Sequence, residues 1–518
     1  MQRTSSSIKN LIFAFIGQAA GIVMNFIARV VFLRILTAEY LGLNGLFTNI
    51  LSMLSLMELG VGTAMTFSLY KPLATSDKEK IKSLMNLYRK SYIIIGILVL
   101  VIGIGITPLL PYFIDEVPKI NENINLIYIL FVINTAISYF YSYKRSLISS
   151  DQKRYIATAY RYIFYCLLNI MQIIILLLTK NYIWYLITQI IFTFAENVAI
   201  SKKADKLYPY LKEKNINKLE KEDTEKIKKN VVAMIGHKIG GIIVGGTDNI
   251  ILSKFVGLVE VGIYSNYYLI INALNVIIGQ VFTAITASVG NLVATTNKQK
   301  VYDIFKKVFF LDFWLYAFSS ICLLVLFNRF ITIWIGNEYL FSMDIVLILV
   351  INFYITGMRK AVLTFRDATG LYWADRYKPF AESIINIIAS IILVKMLGTI
   401  GVFIGTFIST ITTCFWVEPY ILYKYEFGLS IIPFLKKYIL YTILMIIAGI
   451  ITVALCNLIK ITGIIGFIIN ACICIIVINT IFLIFLHRTE EFKYFKNLIL
   501  DFIKNRLKKY NKCMRDMD

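Results

Sequence analysis

Apolar runs of about 20 residues recur from one end of the chain to the other, separated by short polar segments, and each is long enough to cross a hydrocarbon core of about 30 Å. About fourteen such runs are centred near residues 20, 56, 102, 132, 167, 190, 241, 274, 316, 352, 388, 410, 448 and 474. None shows the strict alternation over about ten residues that a membrane-barrel strand requires, so the runs predict helices and the fold class is an all-α polytopic membrane protein. The first run follows Arg3 and Lys9 as a signal peptide would, but it continues to about Leu33 without a small-residue cleavage site and reads as a span.

Composition agrees with the pattern: of 518 residues 58% are hydrophobic and 16% charged, and the mean hydropathy is +0.72. The net charge of +22 is not a nucleic-acid footprint, because of where it falls. Roughly 44 of the 53 basic residues lie in alternate loops and at the two ends, against Arg34, Lys119, Lys180, Lys254, Arg329, Lys395 and Lys460 in the others. Both termini are therefore expected on the cytoplasmic side. The seven cysteines are scattered and predict neither a disulfide framework nor a metal site.

The polar segments carry an internal repeat. LATSDKEKI (Leu73 to Ile81) and VATTNKQKV (Val293 to Val301) agree in residue type at every position. Upstream, IKN at Ile8 matches IKK at Ile227, AFIG at Ala14 matches AMIG at Ala233, Gly21 falls on Gly240, and one inserted residue later Gly42 falls on Gly262. Six spans separate equivalent points, and an even number preserves orientation, so the repeat is parallel. The expected organisation is a six-helix lobe over 1–201, a basic linker over 202–229, a second six-helix lobe over 230–423, two extra helices over 424–486 and a basic amphipathic tail over 487–518. In that tail Phe492, Phe495, Ile499, Phe502 and Ile503 fall near one helical face among lysines, as in a helix lying at an anionic leaflet.

No GxxxxGK[ST] phosphate loop occurs, and two histidines, His237 and His487, leave little material for histidine-based catalysis. The chemistry left is a set of ionisable residues at membrane depth, which tend to face a bundle interior or a water-filled cavity. From the inner face at 1.5 Å per residue, Arg29 sits about 30 Å up and His237 and Lys238 about 10 Å up; Glu58 is near the middle of the second run, and Asp248 occupies the position matching Arg29 in the other lobe. Arg29 near a helix end also has the snorkelling alternative. Asp312, Arg359, Lys360 and Glu196 lie nearer the inner face. Arg29, His237, Lys238 and Arg359 are the candidate substrate-binding cations, suited to phosphate oxygens. Glu58, Asp248 and Asp312 are the candidate cavity or ion-coupling acids. No metal site or bound cofactor is expected, and the driving force would be a proton or a sodium gradient.

Beyond the residue-level reading, YLGLNGLFTNILSMLSLMELGVG (Tyr40 to Gly62), GIYSNYYLI (Gly262 to Ile270) and FRDATGLYWADRYKP (Phe365 to Pro379), with the ESIINIIASIILVKMLGTIGVFIGTFIST run that follows, resemble the Wzx-type flippases of lipid-linked oligosaccharides, in the multidrug/oligosaccharidyl-lipid/polysaccharide exporter superfamily. The resemblance implies translocation of undecaprenyl pyrophosphate-linked repeat units across the bacterial cytoplasmic membrane for capsule or another surface polysaccharide, by alternating access around a cationic central cavity. Its partners would be that glycolipid, membrane lipids and the polysaccharide polymerase machinery, with no nucleic acid. The competing readings are a multidrug or lipid II exporter of the same superfamily and, from a different class, a surface-polysaccharide polymerase that consumes the lipid-linked unit.

Overall fold

In a computed structural model the described residues are 2–58, 61–114, 118–151, 153–213, 219, 225, 246–369, 371, 374–498, 500 and 501. Among them there are helices and connecting turns and no strand. In chain order the helices are α1 (Gln2–Ile35), α2 (Ala38–Leu54), α3 (Val61–Ala74), α4 (Lys78–Ile106), α5 (Ile124–Phe140), α6 (Ser142–Ser150), α7 (Arg154–Thr179) and α8 (Tyr182–Leu207). They continue with α9 (246–255), α10 (Leu258–Thr295), α11 (Lys298–Trp334), α12 (Met343–Gly357), α13 (Lys360–Thr369) and α14 (Lys378–Leu397). Then come α15 (Thr399–Ser409, running on through wider turns to Phe427), α16 (Ile432–Asn457) and α17 (Gly463–Leu486), and a short α18 (490–498).

Eleven helices among the described residues are long and apolar enough to cross a membrane, or twelve if the bent pair α5 and α6 counts as one span. The expected number was about fourteen, and the difference has two sources. The second run is broken: α2 tightens into a 3₁₀ turn over Ser55–Glu58 before α3 begins, so neither piece is a full span. The run near residue 241 lies outside the described residues. Apolar side chains facing outward complete the membrane reading, with Ile439, Ile443, Ile446 and Ile450 forming one exposed stripe on α16 at helical spacing.

The chain divides into two compact units, Met1–Ser265 with Ser390–Val402, and Asn266–Ala389 with Phe403–Asp518. The core of the first centres on Phe47, Tyr128, Phe131 and Tyr182, with a second cluster around Tyr88, Tyr92, Tyr143 and Leu147. In the second unit α11 runs through the middle. Its Phe313 stacks on Tyr441 of α16 at 4.2 Å between ring centres and packs against Phe482 of α17 at 5.1 Å, so the two extra helices close over it.

The repeated polar segment has a structural purpose. Asp77 and Asn297, matched residues of the two copies, are the N-caps of α4 and α11, and each side chain accepts an N–H three residues on, from Lys80 and Lys300, both at 3.0 Å. A helix start leaves such N–H groups unpaired, and Asp and Asn are among the side chains best shaped to take them.

The matched glycines are reciprocal too. Within the first unit a Cβ on Gly42 of α2 would run into the carbonyl of Leu258, and a Cβ on Gly262 of α10 into the carbonyl of Ala38. Each glycine thus admits the backbone four residues before the other, a two-fold arrangement built from duplicated sequence. Because backbone carbonyls cannot rotate away as a side chain would, overpacking here costs about 1–3 kcal/mol. Gly42→Ala and Gly262→Ala are each expected to lower the melting temperature of the purified protein by several degrees, whereas Gly105→Ala, which meets nothing within 4 Å, leaves it unchanged. Equal melting of all three proteins would contradict the close crossing.

Candidate functional site

Ionisable residues inside the spans gather where helices break. The break between α12 and α13, at Met358 and Arg359, leaves the first N–H groups of α13 in need of acceptors, and Asp312 of α11 supplies one. Its Oδ2 accepts the Ala361 N–H at 2.9 Å. Asp312 is fully buried, and its Oδ1 has no hydrogen-bond partner among the described residues. A carboxylate at a helix start also meets the positive end of the helix dipole.

Arg359, immediately before α13, turns to Glu418 of the α15 span and donates to it through two nitrogens, Nε to Oε2 at 2.9 Å and Nη2 to Oε1 at 2.8 Å. Lys378 adds a third bond to Glu418 at 2.5 Å. Around this core, Glu382 lies 3.6 Å from Arg359 and 3.8 Å from Lys378, and Arg366 bonds Asp375 at 2.7 Å. Glu418 and Asp375 are inaccessible to solvent. The fork-on-fork geometry is what lets a buried pair offset its desolvation. Glu418 sits between two wider helical turns, Thr410–Cys414 and Leu422–Phe427, and beside Pro419, which contributes no N–H to the helix.

The first unit repeats the scheme with different residues. The α5–α6 span bends by 43° at Tyr141, and just beyond the bend Arg145 bonds Glu196 of α8 at 2.5 Å and Asn197 at 3.2 Å, while Lys144 bonds Asp205 at 2.7 Å and Ser201 at 2.8 Å. In both units a cation that follows a broken or bent span is held by a carboxylate on a later helix, Glu196 on α8 and Glu418 on the α15 span.

The sequence-predicted residues fall out as follows. Glu58 lies in the 3₁₀ turn that breaks the second run, and its carboxylate accepts the Tyr92 hydroxyl; neighbouring Tyr88 bonds Ser146 at 3.0 Å. Arg29 of α1 donates to Ser265 Oγ at 2.8 Å, on the α10 turn just after Gly262. Asp248 is half-buried on α9. Arg359 lies in the α12–α13 break, committed to Glu418 in this structure, and Asp312 accepts the Ala361 N–H just beyond it. His237 and Lys238 lie outside the described residues, as do Ile499, Phe502 and Ile503 of the tail. The described part of the tail packs on the protein: Phe492 stacks on Trp314 and Phe495 on Phe310 of α11, and Glu491 bonds Lys437 at 2.8 Å.

The network around Glu418 was missed by sequence reasoning. A signal existed, a lone acid in the apolar stretch CFWVEPY, but its partners lie 59 and 40 positions away along the chain and hydropathy says nothing of pairing.

A family model described as "Polysaccharide biosynthesis protein" matches residues 7–287. No curated protein sequence matches the chain. Among solved structures, a lipid II flippase, MurJ, in an inward closed conformation is similar with a TM-score of 0.66 at 14% identity, covering 93% of this chain and 99% of its own. An inward-facing multidrug resistance MATE family transporter of the MOP superfamily reaches 0.62 at 14% identity, over 80% of this chain and 98% of that one. A Vibrio cholerae MATE transporter reaches 0.56 at 12% identity, over 82% and 97%. At these identities the likeness is one of fold.

Removing one member of a buried ion pair costs about 3–5 kcal/mol because the other is stranded. Glu418→Gln and Arg359→Met are each expected to destabilise the purified protein by several degrees of melting temperature, with the double variant falling by less than the sum of the two. Additive losses would mean that the two side chains do not depend on each other.

Proposed function

The chain belongs to the polysaccharide biosynthesis protein family, and from that premise we propose that it is a flippase moving undecaprenyl pyrophosphate-linked oligosaccharide repeat units from the inner to the outer leaflet of a bacterial cytoplasmic membrane, for capsule or another surface polysaccharide, by alternating access. One observation carries the reading: a chain matched by that family model has the fold of a lipid II flippase across 93% of its length. A polymerase reading has no such support, since the similar structures are of transporters. Within transport, the lipid II flippase fold covers more of the chain than the multidrug transporter folds do, 93% against 80% and 82%. That difference favours a lipid-linked cargo over a small drug and keeps lipid II itself as the second reading.

In this proposal Arg29, with His237 and Lys238, serves the pyrophosphate, because cationic side chains replace the hydration that phosphate oxygens lose. Glu58, Asp248 and Asp312 are the groups through which a proton or sodium gradient acts. Replacing them by amides would then remove the dependence of transport on that gradient. Both termini face the cytoplasm on the basic-loop argument, with the polymerase machinery receiving the glycan on the far side.

Leaflet-resolved labelling of undecaprenyl-linked glycans in a deletion strain tests the reading. Accumulation on the cytoplasmic leaflet is expected; accumulation on the outer leaflet would point to polymerisation instead. Arg29→Ala is expected to abolish surface polysaccharide while the protein still inserts, and unchanged export by that variant would remove Arg29 from the substrate path.

A further inference from the structure

Within the second unit a cavity of about 380 Å³ opens between α10 and α13, inside the roughly 300–1,000 Å³ range of small-ligand sites. Its α10 wall carries Gly279, Gln280, Thr283 and Thr286, and its α13 wall carries Lys360, Thr364 and Asp367. On each helix these polar residues recur every three or four positions with Val276, Phe282 and Leu363 among them, so each wall mixes polar and apolar side chains. Polar groups on spanning helices are costly unless something wet or bound occupies the space they line.

The groups are arranged for a ligand that is both anionic and hydroxylated. Lys360 is the cation in the lining, and its charge also acts on the buried carboxylate of Asp312. Asp367 is already matched: its Oδ1 takes both Arg366 Nη2 at 3.1 Å and Nε at 3.3 Å, which leaves Oδ2 as an acceptor. Thr283 and Thr286 donate their hydroxyl hydrogens to the carbonyls of Gly279 and Phe282 at 2.9 and 2.8 Å, so towards the cavity they too present lone pairs. Gln280 offers amide donors and an acceptor. A single cation set among acceptors suits a phosphate joined to a sugar: the phosphate meets the ammonium, and ring hydroxyls donate to the threonines and Asp367. A cationic drug finds no unmatched carboxylate here.

We propose that the α10–α13 cavity is a binding site for the phosphosugar portion of a lipid-linked glycan, with Lys360 holding phosphate and Thr283, Thr286, Gln280 and Asp367 reading the first sugar. The assignment rests on the flippase reading for the cargo's identity but not for its chemistry.

Gly279 supplies a clean test, because a Cβ there meets nothing within 4 Å and the residue lines the cavity, so a larger side chain takes up its space. Dissociation constants are measured for the full-length protein in phosphatidylcholine nanodiscs, with farnesyl pyrophosphate, its N-acetylglucosaminyl derivative and phosphatidylglycerol as the three probes. The sugar-bearing probe binds tightest. Lys360→Gln weakens both pyrophosphate probes by about tenfold or more, as loss of one charge-assisted contact does; Thr283→Val with Thr286→Val erases only the advantage given by the sugar; Gly279→Leu abolishes binding of both. Wild-type affinities in Gly279→Leu and Lys360→Gln would overturn the site, as would equal displacement of both probes by phosphatidylglycerol, which would make it a membrane-lipid headgroup site. Unchanged binding in these variants alongside cytoplasmic glycan accumulation in the deletion strain leaves the flippase reading standing and removes the cavity. The expected binding pattern without that accumulation keeps the cavity as a phosphosugar site and removes flipping.

Discussion

A helix that breaks inside a membrane exposes backbone groups with no water to receive them, and every such group must find a partner in the protein. This requirement organises the ionisable residues of the chain. At the α12–α13 break Asp312 takes the Ala361 N–H, and Arg359 beside it is anchored on Glu418. Past the α5–α6 bend Arg145 and Lys144 are anchored on Glu196 and Asp205. Where the second run breaks, Glu58 is taken up by Tyr92. At the α12–α13 break a charged side chain takes a freed backbone N–H directly, and at the other two the charges beside the break pair with other side chains.

Away from the breaks, α4 and α11 pack through large aromatic side chains such as Tyr88, Tyr92, Phe309 and Phe313. The broken spans, by contrast, end in networks of ion pairs, and removing one member of such a buried pair costs about 3–5 kcal/mol. Lys360 lies next in sequence to Arg359 and lines the α10–α13 cavity, so the ion network and the cavity's cation meet within one helical turn.

Much of the architecture was legible in the residues. Runs of the right length gave the helical membrane class, and the doubled polar segment was visible as a repeat, although its role as the caps of α4 and α11 came only with the structure. The Gly42 and Gly262 match was visible as well, although only coordinates reveal that each glycine admits the other's backbone. The charge networks were not legible. Glu418 meets Arg359 and Lys378 through tertiary packing, and a helix break is a backbone event that leaves the mean hydropathy of a run unchanged, which is why α2 and α3 read as one span. Arg359 was read as a candidate substrate-binding cation nearer the inner face, and its distance from Glu418 in the chain hid the partner that holds it in this structure.

The most direct measurement of the central claim, that this chain carries lipid-linked glycan across a bilayer, uses the purified protein in liposomes holding a fluorescent undecaprenyl pyrophosphate-linked saccharide in both leaflets. With a membrane-impermeant quencher outside, the account predicts that active protein raises the quenched fraction from about half towards completion. A fraction that stays at half with folded protein present would contradict it.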